Sequence, residues 1–151
     1  MANYIVGIIA QIIKDNSIVD IVWGLLFIIP NLVGLLITMN WNARTILVFS
    51  MICIWGLRLA IHIGSRHTRG EDYRYVEMRQ DWMKKGKCNY YFRTFIFIFS
   101  MQALFSLIVN SSALYVTIFS PKTDLNAIDI VGAAIWVFGF GFEVIGDWQL
   151  Q

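Results

Sequence analysis

Polar residues interrupt this chain rarely and in clusters, leaving long apolar stretches between them. A helix needs about 20 mostly apolar residues to cross a bilayer core, with every backbone group bonded internally. Four runs meet that requirement, over residues 18–39, 45–63, 94–119 and 127–145. A fifth run, residues 4–13, is short and reads as a partial span or an interfacial helix. It has no preceding basic residue and no small-residue cleavage site, so it is a poor signal peptide. None of the runs alternates with period two over about ten residues, which argues against a β-barrel. The expected fold is all-α: a polytopic transmembrane bundle of four to five spans within one domain, residues 1–151.

The joints are legible. Lys14, Asp15, Asn16 and Ser17 form a polar break, with Ser17 placed to cap the next helix. Asn40 to Arg44 reads as a tight turn with an interfacial Trp41, and Pro121 breaks the chain after the third span. The long joint, residues 64–93, carries eight of the twelve cations: Arg66, Arg69, Arg74, Arg79, Lys84, Lys85, Lys87 and Arg93. Excess cations mark loops on the inner side, so this joint and the C-terminal end are expected to be cytoplasmic.

Composition sharpens the picture. The 151 residues are 58% apolar and 15% charged, an excess of apolar side chains that a small soluble globule has no interior to hide. The low charge excludes disorder, and two cysteines exclude a disulfide scaffold. The basic joint interleaves Glu71, Asp72, Glu77 and Asp81 with its cations, so nucleic acid is not the expected partner; membrane lipid is. His67, Glu71 and Asp72 are weak metal-ligand candidates, and no nucleotide-binding glycine motif occurs.

Ionisable residues inside spans are costly and are the natural place to seek function. Asp20 shares a helical face with Gly24, Phe27, Asn31 and Gly34. It reads as a hydrated interfacial residue, as a partner for another helix with Arg58 the candidate, or as a group with a direct role in chemistry, and Asn31 is placed to bond across helices. Arg58, His62 and Arg66 recur every four residues and share a face with Trp55, a cationic stripe that suits a phosphate or serves only to snorkel. Glu143 and Asp147 are four apart on one face with Gly132, Trp136, Gly139 and Gly146. They either line a polar cavity that accepts ribose hydroxyls or an amide, or end in an ion pair and at the interface. Gln102, Ser106 and Asn110 form a milder stripe suited to interhelical hydrogen bonds.

Four stretches carry a family resemblance: NSIVDIVWG at 16–24, WGLRLAIHIGSRHTRGEDYRYVEMRQDW at 55–82, FSMQALF at 99–105 and GFGFEVIGDWQLQ at 139–151. Together they resemble the steroid 5-alpha-reductase-like membrane proteins of unknown function, related to the 3-oxo-5-alpha-steroid 4-dehydrogenases. The resemblance covers nearly the whole chain and likens it to the N-terminal half of such a protein. It implies NADPH as cofactor, a steroid or other lipid as substrate, and a C-terminal part, here or in trans, that supplies most of the dinucleotide site. By position, Glu143 and Asp147 are similar to an Asn-x-x-x-Asp pair that contacts the cofactor, with Glu in place of Asn. The Gln-Glu pair that polarises the steroid carbonyl in those enzymes has no counterpart here. The expectation is therefore a reductase-like fold whose 151 residues do not turn over alone. The alternative is a non-catalytic remnant or a lipid-binding, helix-packing scaffold.

Overall fold

The computed structural model describes residues 7, 8, 10–12, 15, 16, 18–67, 73–121 and 124–149, without the side chains of Arg66 and His67. Every regular element among them is helical: α1 (Ile18–Trp23), α2 (Leu25–Thr38), α3 (Ala43–His67), α4 (Tyr73–Met83), α5 (Lys87–Arg93), a π-helical stretch (Thr94–Ser100), α6 (Met101–Phe119) and α7 (Ala127–Gln149). Among the described residues four helices are long and apolar enough to span a membrane: Ile18–Thr38, Ala43–Ser65, Lys87–Phe119 and Ala127–Gln149. Large apolar side chains such as Ile37, Ile61, Leu107, Ile128 and Phe138 face outward, as they do where lipid is the solvent. The chain is a multi-pass helical membrane protein.

The boundaries differ from the hydropathy reading in instructive ways. The third span begins seven residues earlier than expected, at Lys87 rather than Thr94, because α5, the π stretch and α6 run on as one helix. The fourth continues past Ile145 to Gln149, carrying Asp147 on helix. Most of the joint 64–93 is also helical, since α4 and α5 occupy it. Mixed charge lowered its hydropathy without lowering its helix propensity, which is high for Arg, Lys, Glu, Gln and Met. Of the run 4–13, residues 7, 8 and 10–12 are helical; the rest lies outside the described residues.

Helix starts are fixed by side chains of the turns. Asn42 Oδ1 accepts the Thr45 backbone N–H at 3.0 Å, and Thr45 Oγ1 accepts the Asn42 N–H at 3.0 Å. This reciprocal box satisfies two amides that would otherwise be bare at the start of α3. Asn126 and Asp129 repeat the device on α7, with Asn126 Oδ1 accepting from Asp129 N at 3.1 Å and Asp129 Oδ2 accepting from Asn126 N at 2.9 Å.

The first three spans form the packed part of the bundle. Between α1–α2 and α3 the backbones meet: a Cβ added at Gly24 would fall 2.3 Å from the Gly56 carbonyl oxygen. Small residues permit this approach, which membrane helices use in place of a hydrophobic driving force. Between α2 and α6, Asn31 is fully buried and donates to Asn110 Oδ1 at 2.7 Å, while Thr117 Oγ1 donates to Asn31 Oδ1 at 2.9 Å. Asn31 and Asn110 thus make the interhelical bonds expected of them. A second cluster joins Ala10, Val19, Tyr75, Ile98 and Phe99, with Ile18 and Trp82 against it, and so seats α4 on the bundle.

Candidate functional site

Asp20 does not meet Arg58. Its carboxylate accepts from the Tyr75 hydroxyl at 3.0 Å and from Gln102 Nε2 at 3.4 Å, and lies 3.8 Å from Arg74. The reason is positional. Tyr75 and Arg74 belong to α4, a helix that hydropathy could not reveal, and it comes down beside the first turn of α1. Asp20 therefore joins α1, α4 and α6.

Arg58 turns instead to the fourth span. Its Nη1 donates to Glu143 Oε1 at 2.6 Å, and its Nη2 donates to Asp147. Trp55 Nε1 donates to the other Glu143 oxygen at 3.0 Å, and His62 Nε2 stands 3.7 Å from Asp147 Oδ2. The spacing explains the convergence. Trp55, Arg58 and His62 fall on one face of α3, and Glu143 and Asp147 on one face of α7, so the two faces zip over about one and a half turns. All three charged side chains are partly accessible, Arg58 at 19%, Glu143 at 35% and Asp147 at 28%. Arg66 lies one turn beyond His62 on α3; its side chain is outside the described residues.

A second rung stands at the far end of the same two helices. Arg44 Nε and Nη2 donate to the two Asp129 oxygens at 2.7 and 2.9 Å, a bidentate pair. Arg44 and Arg58 are two heptads apart on α3, as Asp129 and Glu143 are on α7. The rungs are thus roughly 21 Å apart on parallel helices. Sequence reasoning missed Arg44 and Asp129, although the equal spacing of cation and carboxylate was visible.

Between the rungs lies a cleft of about 360 Å³, lined by aromatic and small residues including Phe27, Trp55, Trp136, Gly139 and Phe140, with Glu143 at its edge. Phe27 of α2 and Trp55 of α3, both in its wall, pack edge to face with each other and with Trp23 of α1, and Trp136 stacks on Phe140 on the α7 side. The slot is mainly apolar, and the carboxylate in its wall is held by a cation. Among the described residues no three metal-ligating side chains converge; His67, Glu71 and Asp72 fall outside what the structure describes for side chains.

Residues 6–151 match the model of a family described as a protein of unknown function (DUF1295). The chain belongs to this family. No curated protein and no solved structure matches the chain. Family membership covers every element described above, including both rungs and the cleft.

Proposed function

We propose that this DUF1295 chain is the membrane-embedded part of a reductase acting on conjugated double bonds of a steroid or other lipid, with NADPH as cofactor. The observation that supports the reading best is the sharing of Glu143 between the Arg58 cluster and the apolar cleft. A cofactor site and a lipid site must meet at the reacting atoms, and Glu143 is where a polar and an apolar site meet here.

The residues fit one part of the cofactor better than the rest. Glu143 and Asp147 are acceptors, suited to ribose hydroxyls or a carboxamide N–H. Arg58 is already balanced by two carboxylates, so it is poorly placed to neutralise phosphates as well. The cluster therefore suits the nicotinamide–ribose end, and the phosphates would fall to cations such as Arg66 or to a following segment. When bound, the cofactor would supply a hydride. The chain's own contribution would be orientation by Asp147 and Glu143, with water excluded by Phe27, Trp55, Trp136 and Phe140. The cationic loop and C-terminal end would then face the cytoplasm, where the cofactor is found.

One observation favours a second reading. Each carboxylate of the cluster already has a protein partner, which is what a purely helix-packing role requires. Titrating NADPH against the solubilised chain, alone and with the following segment of a longer family member, separates the two. The reductase reading predicts saturable enhancement of nicotinamide fluorescence that weakens about tenfold or more in Asp147→Asn. Absence of binding in both preparations contradicts it and leaves the packing role.

A further inference from the structure

A second groove, of about 410 Å³, opens where the N-terminal helical residues meet the π stretch. Gly7, Ile8, Gln11 and Ile12 form one wall, with the Gln11 amide donating to Asn16; Tyr91, Phe95 and Phe99 form the other, and Thr94 sits between them. The outer edge faces the bilayer, since Ile8, Ile12 and Phe95 are all exposed. Thr94 is only 1% exposed, yet its hydroxyl has no hydrogen-bond partner. In a regular α-helix a threonine hydroxyl can bond back to a carbonyl one turn earlier. Here the register changes to π at Thr94, and the hydroxyl makes no such bond. An unpaired polar group in an apolar place is unfavourable, and π segments recur at functional sites. Rotation about the threonine χ1 offers the hydroxyl to an acceptor lying in the groove.

Cations precede the groove along the chain. Lys87 stands one turn ahead of Tyr91 on the same helical face, and Lys85 lies two residues earlier; both are exposed. Lys84 is engaged by Asp81 at 2.8 Å, whereas neither Lys85 nor Lys87 has an ion-pair partner among the described residues. The arrangement is a mainly apolar channel, a hydroxyl in its wall and exposed cations on the turn that leads into it. We infer that the groove holds one anionic phospholipid: an acyl chain between Ile8, Ile12, Phe95 and Phe99, its ester carbonyl at the Thr94 hydroxyl, and its phosphate at Lys85 and Lys87. This site is independent of the Arg58 cluster and of any cofactor there.

The test is native mass spectrometry of the delipidated full chain titrated with ester-linked phosphatidylglycerol, its ether-linked analogue and phosphatidylcholine. One equivalent of the ester-linked anionic lipid is expected to bind roughly tenfold or more tighter than phosphatidylcholine, since each lysine near a lipid phosphate contributes about fivefold. The ether analogue, lacking the carbonyl acceptor, is expected to bind about threefold to tenfold more weakly than the ester. Thr94→Val removes the ester–ether difference, Lys85→Gln with Lys87→Gln narrows the charge preference, and Ile8→Trp weakens all three lipids by filling the groove. Equal binding of anionic and zwitterionic lipid by the unmodified chain overturns the inference. So does equal binding of ester and ether forms, a comparison that needs no variant to fold.

Discussion

Between α1–α2 and α3 the backbones touch at Gly24 and Gly56, whereas α3 and α7 are bridged by long polar side chains around a cleft. The packed spans bury Phe27, Asn31, Leu35, Asn110 and Thr117; α7 buries no residue, and an added Cβ at Gly132, Gly139, Gly141 or Gly146 would meet nothing within 4 Å. In lipid there is little hydrophobic force between helices, so close packing and hydrogen bonds must do the joining. The first three spans use both. The fourth relies on its two ionic rungs, which hold it in place and leave room beside it. Glu143 and Asp147, the carboxylates of the proposed site, belong to that less tightly packed helix, where a slot can stay open.

The largest effect is expected where backbones touch. Gly24→Ala places a methyl group against the Gly56 carbonyl and should destabilise the bundle by about 1–3 kcal/mol or more, read as a lowered midpoint of thermal unfolding in detergent. Gly139→Ala, on the open helix, should leave the midpoint nearly unchanged; equal losses at the two sites would erase the contrast. Asn31→Leu comes next. It leaves Asn110 and Thr117 without their buried partner and should cost about 1–2 kcal/mol, with Thr117→Val the milder of the two.

At the rungs the effects should be smaller on stability and larger on position. A double-mutant cycle between Arg58→Ala and Glu143→Ala should give a coupling of about 1 kcal/mol, since the pair is partly accessible. The smallest effect belongs to the Asp81–Lys84 pair at the end of α4. Hydrogen bonding to Lys84 holds the Asp81 carboxyl below its ordinary value. A lowered folded-state pKa gives stabilisation that is present above the usual Asp value of about 3.9 and lost as pH falls through the lowered one. An NMR titration of the Asp81 carboxyl should show that depression, and Lys84→Gln should remove it.

Sequence reading reached the spans because a helix in lipid must be apolar along its length, and it reached Asn31, Asn110 and the Glu143–Asp147 face because helical spacing alone puts residues side by side. It placed Trp55, Arg58 and His62 on one face as well. It did not reach the pairing of that face with α7, because periodicity ranks faces on one helix and says nothing about which faces meet. Asp20 shows the cost: its partners Tyr75 and Arg74 lie on α4, whose mixed charge hid it inside an apparent loop. The Gly24–Gly56 contact was equally hidden, since a glycine looks the same in sequence whether it meets backbone, as these two do, or empty space, as Gly132 does.

The tether between α3 and α7 can be measured directly. Spin labels at the exposed positions Ile61 and Trp148, with Cys53 and Cys88 replaced, report the separation of the two helices beside the Arg58 rung. The unmodified rung should give one narrow distance distribution in lipid nanodiscs. Arg58→Ala should broaden it and shift it outward while distances within α1–α3 stay fixed. An unchanged narrow distribution in Arg58→Ala would contradict the account, because this end of α7 would then be held by something other than the Arg58 rung.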